Sequence, residues 1–237
     1  MRNRIGSIVR LSTVAVVAAA SFVLIAPQSA GAASLYCFGY IAAPGQSGIY
    51  NPIVGTSGND YIYGTPGNDI IVGLAGDDVI LGLEGNDLIC GGDGNDYLRG
   101  ADGRDQISGD LGDDRIIGDN GDDRLSGGPG DDQMWGLNGN DFMNGNDDDD
   151  YMLGGAGADE MYGEGGEDYL NGESGTDMLD GGGDDDRLFD MYSDNNVWPF
   201  SNRLRGSGGT DACRLWTWDT VTNGWEQNLV YGCESSI

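Results

Sequence analysis

An all-β solenoid, in which short strands coil back and forth over a thin apolar interior, is the fold class that three observations predict. A nine-residue frame runs without an insertion from Gly55 to Phe189, fifteen nonamers over 135 residues. Position one of the frame is Gly fifteen times, and position four is Gly thirteen times, with Asp148 and Asp184 as the exceptions. Position eight is always Ile, Leu or Met, from Ile62 to Leu188, while position six is always Asp. Low-complexity sequence has no reason to hold four positions in phase over such a length, and a short fixed period marks a repeat architecture.

The elements follow in chain order. Arg2, Arg4 and Arg10 precede an apolar run from Leu11 to Ala26, and Ala30-Gly31-Ala32 offers small residues for cleavage. Residues 1–32 therefore read as a secretory signal peptide, because the run is shorter than the roughly 20 residues that span a bilayer. Residues 33–54, with Tyr36, Phe38, Tyr40 and Tyr50, read as an N-terminal cap. Residues 55–189 are the repeat block. Residues 190–237 read as a C-terminal cap, since a stacked rod must cover both ends.

Each nonamer divides into a loop of six residues and a strand of three. Side chains alternate along a strand, so position eight faces one way and positions seven and nine the other. One inward side chain per repeat builds no core alone. If two nonamers make one coil, the row Ile62, Ile80, Leu98 faces the row Ile71, Ile89, Ile107, and stacking closes an interior between them. Gly at positions one and four permits positive φ and a sharp turn. Asn or Asp at position five, present in eleven repeats, suits the same turn.

The aspartates supply the chemistry. Asp60, Asp69, Asp78, Asp87, Asp96, Asp105, Asp114, Asp123, Asp132, Asp141, Asp150, Asp159, Asp168, Asp177 and Asp186 recur at position six beside turns able to aim carbonyl oxygens at a common centre. Hard oxygen donors in flexible loops match Ca2+; Mg2+ demands stricter octahedral geometry, and zinc prefers His or Cys. The repeat block holds 34 acids and five arginines, a balance that keeps a metal-free chain expanded. One ion between each loop and the next on the same edge gives roughly a dozen ions and nearly neutralises it. The expectation is disorder without calcium and a rod with it, because binding energy becomes folding energy.

Composition excludes other classes. The formal net charge is −29, so nucleic acid and anionic membranes are not expected partners. The chain has four cysteines, Cys37, Cys90, Cys213 and Cys233, none in CxxC spacing, and an exported protein uses such a set as disulfides. Three pairings satisfy four cysteines; locality favours Cys213 with Cys233, leaving Cys37 with Cys90.

These residues closely resemble the RTX, or haemolysin-type calcium-binding, repeat, whose pattern is G-G-x-G-x-D-x-U-x with U a large apolar residue. The resemblance implies a parallel β-roll, a right-handed β-solenoid, with calcium in both rows of turns, bound by the position-six aspartates and loop carbonyls. The second Gly of the pattern appears here only as Gly92, Gly128, Gly155 and Gly182. Family members with a protease or lipase domain need HExxH or Ser-His-Asp, and this chain has no His. A carboxylate pair could serve a glycosidase, yet nothing outside the repeats is large enough to hold its cleft. The chain is therefore expected to be no enzyme.

Aromatic residues raise one further reading. Tyr61, Tyr97, Tyr151 and Tyr169 share position seven of odd-numbered repeats, and the C-terminal segment holds Trp198, Trp216, Trp218 and Trp225. Strand propensity and cap packing explain them. The alternative is a calcium-rigidified adhesin whose aromatics meet an extracellular glycan or another cell-surface partner.

Overall fold

The protein is described from a computed structural model covering residues 36–37, 40–41, 51–192, 203–206, 212–219 and 224–228, with side chains from 52 to 190. The predicted signal peptide and the side chains of Cys37, Cys213, Cys233 and the C-terminal tryptophans lie outside this set. Within it no helix is long and apolar enough to cross a membrane.

The described chain is all β. Strands β1 (Tyr36–Cys37) and β2 (Tyr40–Ile41) form a small antiparallel pair. Then β3 (Asn51–Val54), β4 (Tyr61–Tyr63), β5 (Asp69–Ala75), β6 (Val79–Glu84) and β7 (Leu88–Asp93) begin a series that alternates between two sheets. One sheet has ten strands and the other nine. Each strand pairs with the strand two further along the sequence, so one coil consumes two nonamers. Pairing is parallel throughout the repeat block, with Ile62 opposite Ile80, Ile80 opposite Leu98, Ile71 opposite Ile89 and Ile89 opposite Ile107. The architecture is the parallel β-roll that the sequence predicts.

The roll continues past the nonamer frame at both ends. Ile53 of β3 pairs with Ile71 and packs on the core. Arg203–Gly206 stacks on Met178–Gly183, and Ala212–Asp219 stacks on Arg187–Tyr192, both in parallel. Gly224–Asn228 then closes the larger sheet in antiparallel pairing.

The core is two facing rows of position-eight side chains, from Ile62 to Leu188, in one continuous cluster. Ile71, Ile80, Ile89, Leu98, Ile107, Met134 and Met152 are wholly shielded from solvent. Outside the smaller sheet, Ile70, Val72, Leu88 and Cys90 form a second buried patch, and β1 lies against the same strands, β5 and β7. Outward positions there are buried where β1 runs alongside.

The division of the nonamer differs from the expected one. From β6 onward the strands typically run through positions seven to three of the following repeat, as in Val79–Glu84, so the loop shrinks to positions four to six. Burial along that strand alternates, with Ile80 and Gly82 both inward. Position one is therefore an interior strand position and not a turn. The sequence pattern hides this because a glycine beside a loop looks like part of it.

Removing one rung from the thin core is costly, since neighbouring coils are fixed by their ladders and cannot collapse inward. Ile107→Ala is expected to destabilise the calcium-loaded roll by about 2–5 kcal/mol, read by denaturant unfolding in saturating calcium. A loss well under 1 kcal/mol would mean that the rows do not bear the packing load assigned to them.

Candidate metal centre

Four successive amides carry the chain across each turn between sheets, and in most turns they find partners on a neighbouring coil. At position four the backbone ladder still holds: the Gly76 amide donates to the Asp93 carbonyl at 2.7 Å and Gly85 to Asp102 at 2.9 Å. At position seven it resumes, with Tyr97 donating to the Asp78 carbonyl at 2.8 Å. Between them side chains take over, since a buried amide without an acceptor is costly.

Positions five and six reach in opposite directions along the roll. Asn59 Oδ1 accepts the Asp77 amide of the next coil at 3.1 Å, and Asn68 Oδ1 accepts that of Asn86 at 2.9 Å. Asp78 Oδ1 instead accepts the Asp60 amide of the preceding coil at 2.7 Å, and Asp96 Oδ1 accepts that of Asp78 at 2.7 Å. The position-six series continues unbroken to Asp186, which accepts the Asp168 amide at 3.0 Å. Asn and Asp at position five are thus explained by a coil-to-coil ladder and not only by turn preference.

All the predicted site residues fall in two columns, one along each row of loops. From Asp69 to Asp186 every position-six side chain is buried. From Asp78 onward one carboxylate oxygen of each is occupied by the ladder. The other, Oδ2, is buried without a hydrogen-bond donor at Asp78, Asp87, Asp96, Asp105, Asp114, Asp123, Asp132, Asp141, Asp150, Asp159, Asp168 and Asp177. A buried carboxylate oxygen lacking any partner is among the least favourable groups a fold can contain. A repeated series of them needs a repeated source of positive charge.

Position one supplies the space. A Cβ on Gly127 would run into Asp132 Oδ2 and stand 2.9 Å from the Gly145 carbonyl; at Gly109 the same holds for Asp114 Oδ2 and the Gly127 carbonyl. Gly109 and Gly127, like Gly73, Gly91 and Gly136, thus border a small cradle shared by an unpartnered carboxylate oxygen and a main-chain carbonyl of the next coil. Hard oxygens gathered in this way fit Ca2+.

The turn conformation corrects the expectation for glycine. From the third repeat onward, positive φ belongs to positions two and four and not to position one. Leu74 at 92°, Ala101 at 86°, Asp119 at 77° and Glu164 at 76° hold the place where the repeat pattern has its second Gly. Asp148 and Asp184 at position four lie at 75° and 69°. Left-handed geometry costs an L-residue about 1–2 kcal/mol, so these coils hold strained backbone that the stack must over-determine.

Burial raises the proton affinity of the columns. It lifts the Asp114 and Asp150 carboxyls to about 8 and those of Asp87 and Asp123 to about 7, with the ladder amide opposing and like charges on neighbouring coils adding. Asp96 and Asp105 rise to about 6 for the same first cause.

The aromatics do not form an unbroken row. In register order Tyr97 is followed by Arg115 and Gln133 before Tyr151 and Tyr169 adjoin. Those two rings stack on each other, 4.8 Å apart and 10° from parallel, so their facing sides are already occupied. The Arg115 guanidinium sits 4.7 Å from the Trp135 ring.

Two outcomes are expected. Because the folded values lie above the ordinary 3.8, protons favour the coiled state: this support is complete below about pH 4 and disappears as pH rises through 6 to 8. Calcium-free protein should therefore gain β signal in circular dichroism on going from pH 8 to pH 5, while calcium affinity falls over the same interval. No change in the calcium-free spectrum would contradict the assignment. Gly127→Ala, which places a methyl group in the cradle, should weaken calcium uptake at least tenfold in a calcium titration, a loss of about 1.4 kcal/mol.

The comparisons agree with this geometry. The family model described as the RTX calcium-binding nonapeptide repeat, four copies long, matches residues 54–89, 90–125, 117–152, 126–161 and 153–188. No curated protein matches the chain. With more than half of its residues matched by that repeat and folded as its period requires, the chain belongs to the RTX calcium-binding nonapeptide repeat family.

Proposed function

We propose that this is a secreted, non-enzymatic calcium-binding protein whose roll folds as the chain takes up Ca2+ between successive loops. The observation that supports it best is the series of buried Oδ2 atoms without a donor, one per repeat from Asp78 to Asp177. In this reading the position-six aspartates from Asp78 to Asp186 hold the ions, with main-chain carbonyls of the adjoining coil. Calcium when bound supplies positive charge and nothing else. The protein's own part is to present one carboxylate oxygen, hold the other by an amide, and keep position one clear.

Charge gives the switch its direction. The net charge is −29, and the two columns place like charges on adjacent coils. Roughly a dozen divalent ions would offset most of it. Without them the aliphatic rows cannot close against the repulsion; with them the apolar interior forms at once along the stack. The absence of His removes the usual metalloprotease and triad chemistry, and the repeat itself is a structural element.

Export is supported by the apolar segment 11–26 behind three arginines, and by cysteine use. A Cys37–Cys90 bridge agrees with β1 lying against β7 and with the lack of a free thiol among the described residues. Residues 33–54 and 190–237 then serve as the two caps.

Circular dichroism of the mature chain in calcium, in magnesium and in chelator tests the proposal. A β spectrum in calcium alone is expected, with magnesium resembling chelator. Equal β content in calcium and in chelator would refute calcium-driven folding.

A further inference from the structure

The first two loops differ from all later ones at one side chain. Thr56 and Thr65 occupy position two of the first and second repeats, at the head of each column. The Thr56 amide donates to Asp60 Oδ2 at 2.6 Å, and its hydroxyl lies 2.9 Å from the same oxygen, with the Gly58 carbonyl at 3.2 Å as its other acceptor. Thr65 repeats the arrangement: its amide reaches Asp69 Oδ2 at 2.6 Å and its hydroxyl the same oxygen at 3.0 Å. These are the oxygens that lack a donor in the following coils, where the series begins at Asp78.

The backbone changes with the side chain. Thr56, Gly58, Thr65 and Gly67 all stay out of the left-handed region, whereas Leu74 and Gly76 in the third repeat enter it at 92° and 108°. A Cβ on Gly58 would meet nothing, while one on Gly76 would stand 2.6 Å from the Asn59 amide nitrogen. The first loop of each column is thus a different turn, built around a threonine.

Resting on the calcium reading above, we infer that Asp60 and Asp69 are not calcium ligands, and that the first coil is an ion-free start to the array. An amide and a hydroxyl complete each carboxylate with neutral donors, so a cation at that oxygen would have to displace two hydrogen bonds. The threonine-held loops still set the register. Their Asp60 and Asp69 amides donate to Oδ1 of Asp78 and Asp87 at 2.7 and 2.8 Å, fixing the first carboxylate in each column whose Oδ2 awaits a partner. Threonine at position two is therefore a positioning residue, and the ligand series begins one coil later than the aspartate series.

Native mass spectrometry of the calcium-saturated mature chain counts the ions. D60N/D69N keeps an acceptor oxygen for each threonine and is expected to bind as many ions as wild type, whereas the mid-roll pair D105N/D114N is expected to bind fewer. A D60N/D69N chain that binds fewer ions than wild type, or none, overturns the inference. T56V/T65V removes both hydroxyl donors at nearly constant shape and is expected to lower the melting temperature in saturating calcium by several degrees; a melting temperature equal to wild type's also overturns it. A wild-type chain that takes up no calcium would overturn the calcium reading itself, a result distinct from ion loss confined to the D60N/D69N chain.

Discussion

Everything in this roll turns on a carboxylate oxygen that is buried and given no donor. A single such atom costs several kcal/mol unless neutralised, and the fold repeats it coil after coil. Beyond the two threonine loops no hydrogen bond remedies this, because the neighbouring amide is already used on Oδ1 and position one offers only a hydrogen atom. The remaining space suits a cation. In the proposed function that cation is the calcium the repeat family binds.

That constraint explains residues that otherwise look unrelated. Position one is glycine because a methyl group would collide with the carboxylate. Position six is aspartate and not glutamate because the shorter arm must reach the amide of the preceding coil while leaving its second oxygen at the cradle. Position five reaches the other way, so adjacent coils are tied in both directions at the point where backbone pairing lapses. The apolar rows are thin, one side chain per repeat. In the proposed function their packing and ion uptake are one event.

Periodicity makes much of this legible. The rows through Ile62, Ile80 and Leu98 and through Ile71, Ile89 and Ile107 follow from a nine-residue frame and strand alternation, and the register agrees. The aspartate columns and the choice of calcium follow from residue type. What the frame cannot reveal is direction along the axis and sign of φ. Nothing in the letters distinguishes Asn59, which reaches forward, from Asp78, which reaches back. Gly73 looks like a turn residue and is an interior strand residue, while the left-handed conformation belongs to Leu74, whose residue type gives no sign of it. Nothing in the letters marks Thr56 and Thr65 as partners of Asp60 and Asp69; that contact becomes visible only when the loop is closed.

Anomalous X-ray diffraction from crystals grown in calcium tests the central claim most directly. The expected result is a peak of anomalous density at calcium-to-oxygen distance, about 2.3–2.6 Å, from Oδ2 of each position-six aspartate between Asp78 and Asp177. Carboxylates at these positions that point into bulk water, with no anomalous density beside them, would contradict it.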